Sequence, residues 1–289
     1  MSQRRTFTPP ARPELLLILG SGLTVILIVI IVAVLLTREH TSALLTAQRS
    51  TTNITQLINA DVLRNVELYD LALNGLIVAT TRHDLPQVSA DILHMVQFDQ
   101  STAAPFKGEV LLLDKVGAVT ADSSTLKPTP RNFANRDYFQ IHQQNPNAGL
   151  FISRPFKIRC ECDQVWRIAF SRRVPGPNGE FAGVAVATMR LAYFDQLFNS
   201  LTIGSGSSIN RLNNDGILLA QQPLLESDMI NKDLSMRPNF KRMLREGSGS
   251  FSGLSSISGK QRLYTFTSVG ALPLIVVVAL SNDDVFAAW

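Results

Sequence analysis

The sequence predicts an α+β protein: an N-terminal transmembrane helix, a long stalk helix continuing from it, and two antiparallel-sheet modules in tandem. Leu15 to Leu36 is 22 residues without a charge. At 1.5 Å per residue that run spans roughly 33 Å, enough for a bilayer core of about 30 Å. Behind it Ile58, Val62, Val66, Tyr69, Leu73 and Leu76 recur at spacings of four, four, three, four and three, one face of a helix. Farther on, short apolar runs alternate with turn signals. The sharpest is Asn178-Gly179, between the runs Gln164–Arg173 and Glu180–Arg190.

Composition excludes several classes. The 289 residues are 45% hydrophobic and 17% charged, with a formal net charge of +4. Arg4, Arg5 and Arg12 fall in the first dozen residues, so the remainder is nearly balanced and carries no nucleic-acid footprint. No HExxH, G-x-S-x-G, Walker loop or G-x-G-x-x-G is present, and the four histidines (His40, His83, His94, His142) are scattered. No catalytic residue, cofactor or metal site is expected.

In chain order, the N-terminal arginines place residues 1–14 in the cytoplasm by the positive-inside rule, with 15–36 as the span. The run is longer than a signal-peptide core and ends in Thr37-Arg38-Glu39-His40 without a small-residue cleavage site, so it reads as an uncleaved anchor. Residues 38–107 form the stalk and packing helices. A helix from Thr41 to about Thr80 would extend about 60 Å, and its membrane-proximal half, with Leu44, Thr51 and Ile54, could make a parallel dimer contact. Arg82–Pro86 breaks it. Asp84 would cap a second helix whose apolar face is Val88, Ile92 and Met95. Glu109–Asp114 reads as a buried strand, hairpinned through Gly117 to Ala118–Asp122.

The informative stretch is Arg131 to Phe194. Asn135 is expected to cap a short helix carrying Arg136, Asp137, Tyr138, Phe139 and His142; Ser153-Arg154-Pro155 ends a strand; the Asn-Gly hairpin follows. In its first strand Trp166, Ile168, Phe170 and Arg172 share one face, while Arg167, Ala169, Ser171 and Arg173 share the other. An arginine closing an apolar, aromatic face is what a pocket for a small anion needs.

The motifs RDYF, SRPF, VWRIAFSRR and NGEFAGVAVATMRLAYF resemble the extracytoplasmic double Cache sensor domain of bacterial membrane receptors, over roughly Glu109 to Trp289. The resemblance implies two tandem PAS-like modules: a membrane-distal, ligand-binding one over 108–222 and a membrane-proximal one over 223–289. It also implies a small-molecule ligand (amino acid, carboxylate, amine or purine), a homodimer, a location in the bacterial inner membrane with the main domain in the periplasm, and an output beyond Trp289, most often a diguanylate cyclase. Its ligand-binding candidates here are Arg136, Asp137, Tyr138, His142, Trp166, Arg172 and Asp215. Each also has a structural role open to it: Asp137 as a helix-start charge, Tyr138 and Trp166 as core, Arg172 as a snorkelling strand end, Asp215 as a turn residue before Gly216. The amino-acid-binding subset carries an aromatic residue and then Arg-x-Trp-Tyr near this helix. Here Phe133 precedes Arg136-Asp137-Tyr138-Phe139, a departure from that signature.

Cys160 and Cys162 are the only cysteines. At i and i+2 in a strand they would lie about 6.6 Å apart, the upper edge of disulfide geometry, which leaves a local disulfide or free thiols ahead of a redox switch. Ser208–Asn213, the turn at Asn214-Asp215-Gly216 and Ile217–Gln221 form a hairpin expected to close the distal module. A short helix from Pro238 and strands at Gly249–Gly253, Gln261–Ser268 and Leu272–Leu280 complete the proximal one. Two other readings stand beside the sensor: a membrane-anchored interaction or structural protein without ligand-driven output, and an enzyme using Asp137, His142 and Asp215.

Overall fold

The computed structural model describes residues 12–81, 89–98, 107–157, 165–199, 201, 203–204, 206–223 and 229–286. Helix α1 (Arg12–Thr81) runs unbroken for 70 residues. Its apolar segment from Leu17 to Leu36 is exposed throughout, and it is the one helix among the described residues long and apolar enough to cross a membrane. Its later half is amphipathic as the stripe requires: Ile58, Val62, Val66, Tyr69, Leu73 and Leu76 are each no more than 4% exposed. Burying each such side chain contributes about 1.5–3 kcal/mol.

That stripe packs on the first of two antiparallel sheets. Helix α2 (Ala90–Phe98) leads to β1 (Lys107–Asp114) and β2 (Val119–Asp122), then α3 (Asp137–Gln144), β3 (Phe151–Ile152), β4 (Phe156–Lys157), β5 (Trp166–Pro175) and β6 (Phe181–Arg190). The order is β2-β1-β6-β5-β3, with β4 also on β5. Each face of this sheet has its own core: one with Ile168, Phe170 and the α1 stripe, the other with Ala169, Val184, Val186 and the α3 residues Tyr138 and Phe139.

Helix α4 (Ala192–Asn199) leads to the second sheet: β7 (Ser208–Asn213), β8 (Leu218–Gln222), helix α5 (Pro238–Glu246), β9 (Ser248–Leu254), β10 (Gln261–Ser268), β11 (Leu274–Ser281) and the short α6 (Asn282–Val285). Its order, β8-β7-β11-β10-β9, repeats that of the first. It packs lower on α1, where Thr51 and Thr265 hydroxyls lie 2.7 Å apart. The rings of His40 and Phe286 stack at 4.5 Å, so α6 returns to the foot of α1.

Several expectations are corrected. The β7–β8 hairpin does not close the first module; β7 pairs with β11, from Asn213↔Leu274 to Ser208↔Ala279, so residues 208–222 belong to the second sheet. Thr51 is buried against that sheet and Ile54 packs on the core, so this face of α1 is not open for a dimer contact. Ile92 and Met95 are exposed, and only Phe98 of α2 is buried. Arg136, not Asn135, occupies the cap position of α3, with no side-chain cap bond. His83, Asp84, Cys160 and Cys162 lie outside the described residues.

Candidate functional site

Helix α3 lies across the sheet face opposite α1, and its first turn shapes a cavity. Asp137 fixes that turn: Oδ1 accepts from the Tyr138 amide at 2.8 Å, and Oδ2 accepts from the Arg154 amide at 3.0 Å. Tyr138, 3% exposed, descends between Phe133 and Phe156, whose ring centroids are 6.5 and 6.2 Å away. Below these rings is a cavity of about 620 Å³. Its floor is Glu109 and Leu111 of β1 with Thr188 of β6, and its rim carries Arg131, Arg136 and Lys157.

The electrostatics favour an anion. Arg131 Nη1 donates to both Glu109 oxygens at 3.0 and 2.9 Å, and Nη2 donates to Asp122 Oδ2 at 2.6 Å. This arginine is pre-organised, with Nε buried and unpartnered among the described residues. The Arg136 guanidinium sits 5.0 Å from the Phe156 ring centroid and the Lys157 ammonium 4.9 Å from that of Trp166. Cations held over aromatic faces keep their charge available to a ligand. Burial pushes the Tyr138 hydroxyl's pKa up, so it stays protonated and can donate. Glu109 and Asp122 offset Arg131, so the cations facing a ligand are Arg136 and Lys157; with the phenol and the aromatic wall they fit a small molecule with an anionic head and an apolar body.

Of the seven sequence candidates, Arg136 and Tyr138 line this cavity. Asp137 does not; its carboxylate is used on backbone amides. His142 is fully buried one turn along α3, its Nε2 3.0 Å from Ser171 Oγ and its Nδ1 unpartnered among the described residues. Burial lowers its pKa to about 4, which keeps it neutral. Trp166 packs partly on the α1 core and does not line the cavity. Arg172 points to α1 and makes a bidentate ion pair with Asp70, its Nη2 at 2.9 Å from Oδ2. Asp215 is a turn residue in the second module, accepting from Asn213 Nδ2 at 3.3 Å. The enzyme reading fails here, because Asp137 and His142 are spent on packing and Asp215 is in another module.

No residue of β5 lines the cavity. Its small-residue face packs under α3, Ala169 against Tyr138 and Phe139 and Ser171 against His142, whereas its aromatic face seals the apolar stripe of α1. Sequence reasoning passed over Arg131, Phe133, Phe156, Lys157, Glu109 and Thr188. No local signal marks most of them: Glu109 and Thr188 meet only because β1 pairs with β6, and Phe156 and Lys157 reach the cavity only because β4 pairs with β5. No group of three or more histidine, cysteine or acidic residues able to hold a metal occurs among the described residues.

Comparison with known proteins agrees with this architecture. The family model for the Cache domain, in its double form, matches residues 30–289. The extracellular domain of rpHK1S-Z16, a protein assigned as a histidine kinase, is 27% identical with a TM-score of 0.67, covering 84% of this chain and 98% of that one. The periplasmic sensory domain of the Campylobacter jejuni chemoreceptor Tlp1 is 14% identical with a TM-score of 0.64, covering 86% and 99%. The ligand-binding domain of the Pseudomonas aeruginosa PAO1 amino acid chemoreceptor PctB, in complex with L-Arg, is 16% identical with a TM-score of 0.61, covering 83% and 97%. No curated protein sequence matches the chain.

Proposed function

The chain belongs to the Cache domain family, and on that premise we propose that it is the extracytoplasmic small-molecule sensor of a bacterial transmembrane signalling receptor. The observation that carries this reading is the 620 Å³ cavity rimmed by Arg131, Arg136 and Lys157 over Tyr138. Its ligand carries a carboxylate. A ligand that is purely an amine is disfavoured by the same charges, and PctB and PctC, bound to L-Arg and GABA, show that domains of this fold accept carboxylate-bearing molecules.

Residues 15–36 cross the inner membrane, the N-terminal arginines stay in the cytoplasm, and both sheets stand outside. Two links join the cavity to the membrane. The Arg172–Asp70 pair ties β5 to α1, and α6 meets α1 beside His40. A ligand that binds one arrangement of α3 and β5 more tightly than another shifts both links; binding without that difference shifts nothing. A homodimer is supported by Leu57, Leu71 and Val78, which are 64%, 61% and 60% exposed and spaced by multiples of seven along the outer face of α1. The proposed output is a diguanylate cyclase, the common partner implied by the sequence resemblance; a GGDEF motif in polypeptide beyond Trp289 is the observation that decides it.

A thermal-shift screen of the purified protein in detergent micelles tests the sensor reading. A carboxylate or amino acid at 100 times its dissociation constant should stabilise the fold by about 2.7 kcal/mol. Stabilisation by amines alone, or by no compound in a panel of carboxylates, amino acids and purines, contradicts it.

A further inference from the structure

Strand β10 runs alongside α1, and this sets the height of the second module above the membrane. The Thr51 and Thr265 hydroxyls lie 2.7 Å apart, and a Cβ on Gly270 would meet the Leu63 side chain at 3.5 Å. From Thr51 to Leu63 the helix rises about 18 Å at 1.5 Å per residue. From Thr265 to Gly270 the chain covers up to about 17 Å at 3.3 Å per residue, so strand and helix advance together. In the other direction Gln261, at the start of β10, is about 13 Å nearer the membrane than Thr265, level with about Ser42 of α1. The end of β11 agrees: Ser281 pairs with Arg262 and leads through α6 to Phe286, which stacks on His40.

The loop joining β9 to β10 lies beyond Gln261 and comes nearer still. Gln261 pairs with Leu254, and the Ser255 amide donates to the Lys260 carbonyl at 2.8 Å, which closes a compact turn. At its tip Leu254 is 64% and Ile257 39% exposed, with Ser256 and Lys260 exposed beside them. A tip about two strand residues below Gln261 adds roughly 6 Å, which brings it level with about Arg38 of α1. That is within one helical turn of Leu36, where the exposed apolar run ends. Polar headgroups occupy about 5–7 Å on each side of a bilayer's hydrocarbon core. With residues 15–36 as the span, the tip therefore stands in the headgroup layer.

We propose that Leu254 and Ile257 dock the β9–β10 loop into the phospholipid headgroup layer of the membrane that α1 crosses, with Lys260 at the lipid phosphates. The inference rests on the reading of residues 15–36 as the span and is independent of any ligand. Two exposed aliphatic side chains at this height leave water by entering the interface. Charge alone does not draw the loop down, because Arg38 and Lys260 are matched by Glu39 and Asp283, all four exposed. The apolar pair carries the contact. Since α1 already anchors the chain, the contact is intramolecular and needs little affinity of its own. It gives the second module a second point of attachment to the bilayer and so fixes its tilt.

Fluorescence of the full chain in nanodiscs of phosphatidylcholine and phosphatidylglycerol tests the contact, with Cys160→Ser and Cys162→Ser and one fluorophore attached at Ser256→Cys. A nitroxide on the lipid headgroup should quench this label. It should leave a label at Val116→Cys, 60% exposed on the β1–β2 turn, at full emission. Leu254→Asp together with Ile257→Asp should restore the Ser256→Cys emission while the melting temperature holds, since both side chains are exposed. A label at Val34→Cys reports the span itself, through a nitroxide on the acyl chain. Quenching at Val34→Cys without quenching at Ser256→Cys overturns the contact and leaves the span standing. No quenching at Val34→Cys removes the span and the contact with it. Quenching at Ser256→Cys that persists in the aspartate variant also overturns the proposal, because nearness to the bilayer then accounts for it without docking.

Discussion

Tyr69→Ala is expected to lower the unfolding free energy by about 3–5 kcal/mol, the range for emptying a large buried aromatic site. Tyr69 is 1% exposed and stacks on Phe170 at 4.7 Å, in the seam where α1 closes the first sheet. Its neighbours Val66 and Leu73 sit in the same seam, so a cavity there has stiff walls and collapses poorly. Glu67→Ala, on the exposed side of the same turn, should change stability by no more than about 0.5 kcal/mol. Denaturant unfolding of the two variants separates the cases. A loss under about 1 kcal/mol for Tyr69→Ala would mean that α1 does not seal this sheet.

The second large effect is on pH. His142 has its pKa lowered to about 4 by burial, from an ordinary 6.5. As pH falls below 6.5 the unfolded chain takes up a proton there and the folded chain does not until about pH 4. The contribution is therefore complete above pH 6.5 and lost on acidification across that window, about 2 kcal/mol by pH 5 and about 3 by pH 4. His142→Gln keeps a polar group near Ser171 and cannot titrate. Its stability should fall much less between pH 7.5 and pH 5, whatever its starting value. Equal losses in both proteins would show that His142 is protonated in the folded state or accessible to water.

The sequence made some elements legible and hid others, for physical reasons. The α1 stripe was visible because a long amphipathic helix writes its buried face at a 3.6-residue period. The β5–β6 hairpin was visible because Asn178-Gly179 is a local turn signal, and Gly216 marked the β7–β8 turn likewise. The sheet that receives the β7–β8 hairpin was not visible, since that depends on pairing with β11 some 60 residues away. The same limit hides which face of β5 meets α1. Both faces of β5 are largely buried, so alternation sorts Trp166 and Arg172 from Arg167 and Ser171 without saying which set meets α1. The aromatic face goes to the helix because the α1 stripe needs apolar area to cover, and the small-residue face packs under α3. Arg136 and Tyr138 both line the cavity because they lie at the start of α3, whose position is local to the motif. Arg131 and Lys157 reach the rim only through the fold.

The most direct test of the sensor account compares two arginines. Affinity for a carboxylate found by thermal shift should fall about tenfold or more in Arg136→Ala, which loses a rim cation, and stay within about twofold in Arg172→Ala, whose side chain is paired with Asp70 on the other face of the sheet. The reverse order, with Arg172→Ala losing the ligand and Arg136→Ala retaining it, would place the binding site between β5 and α1 and contradict the account.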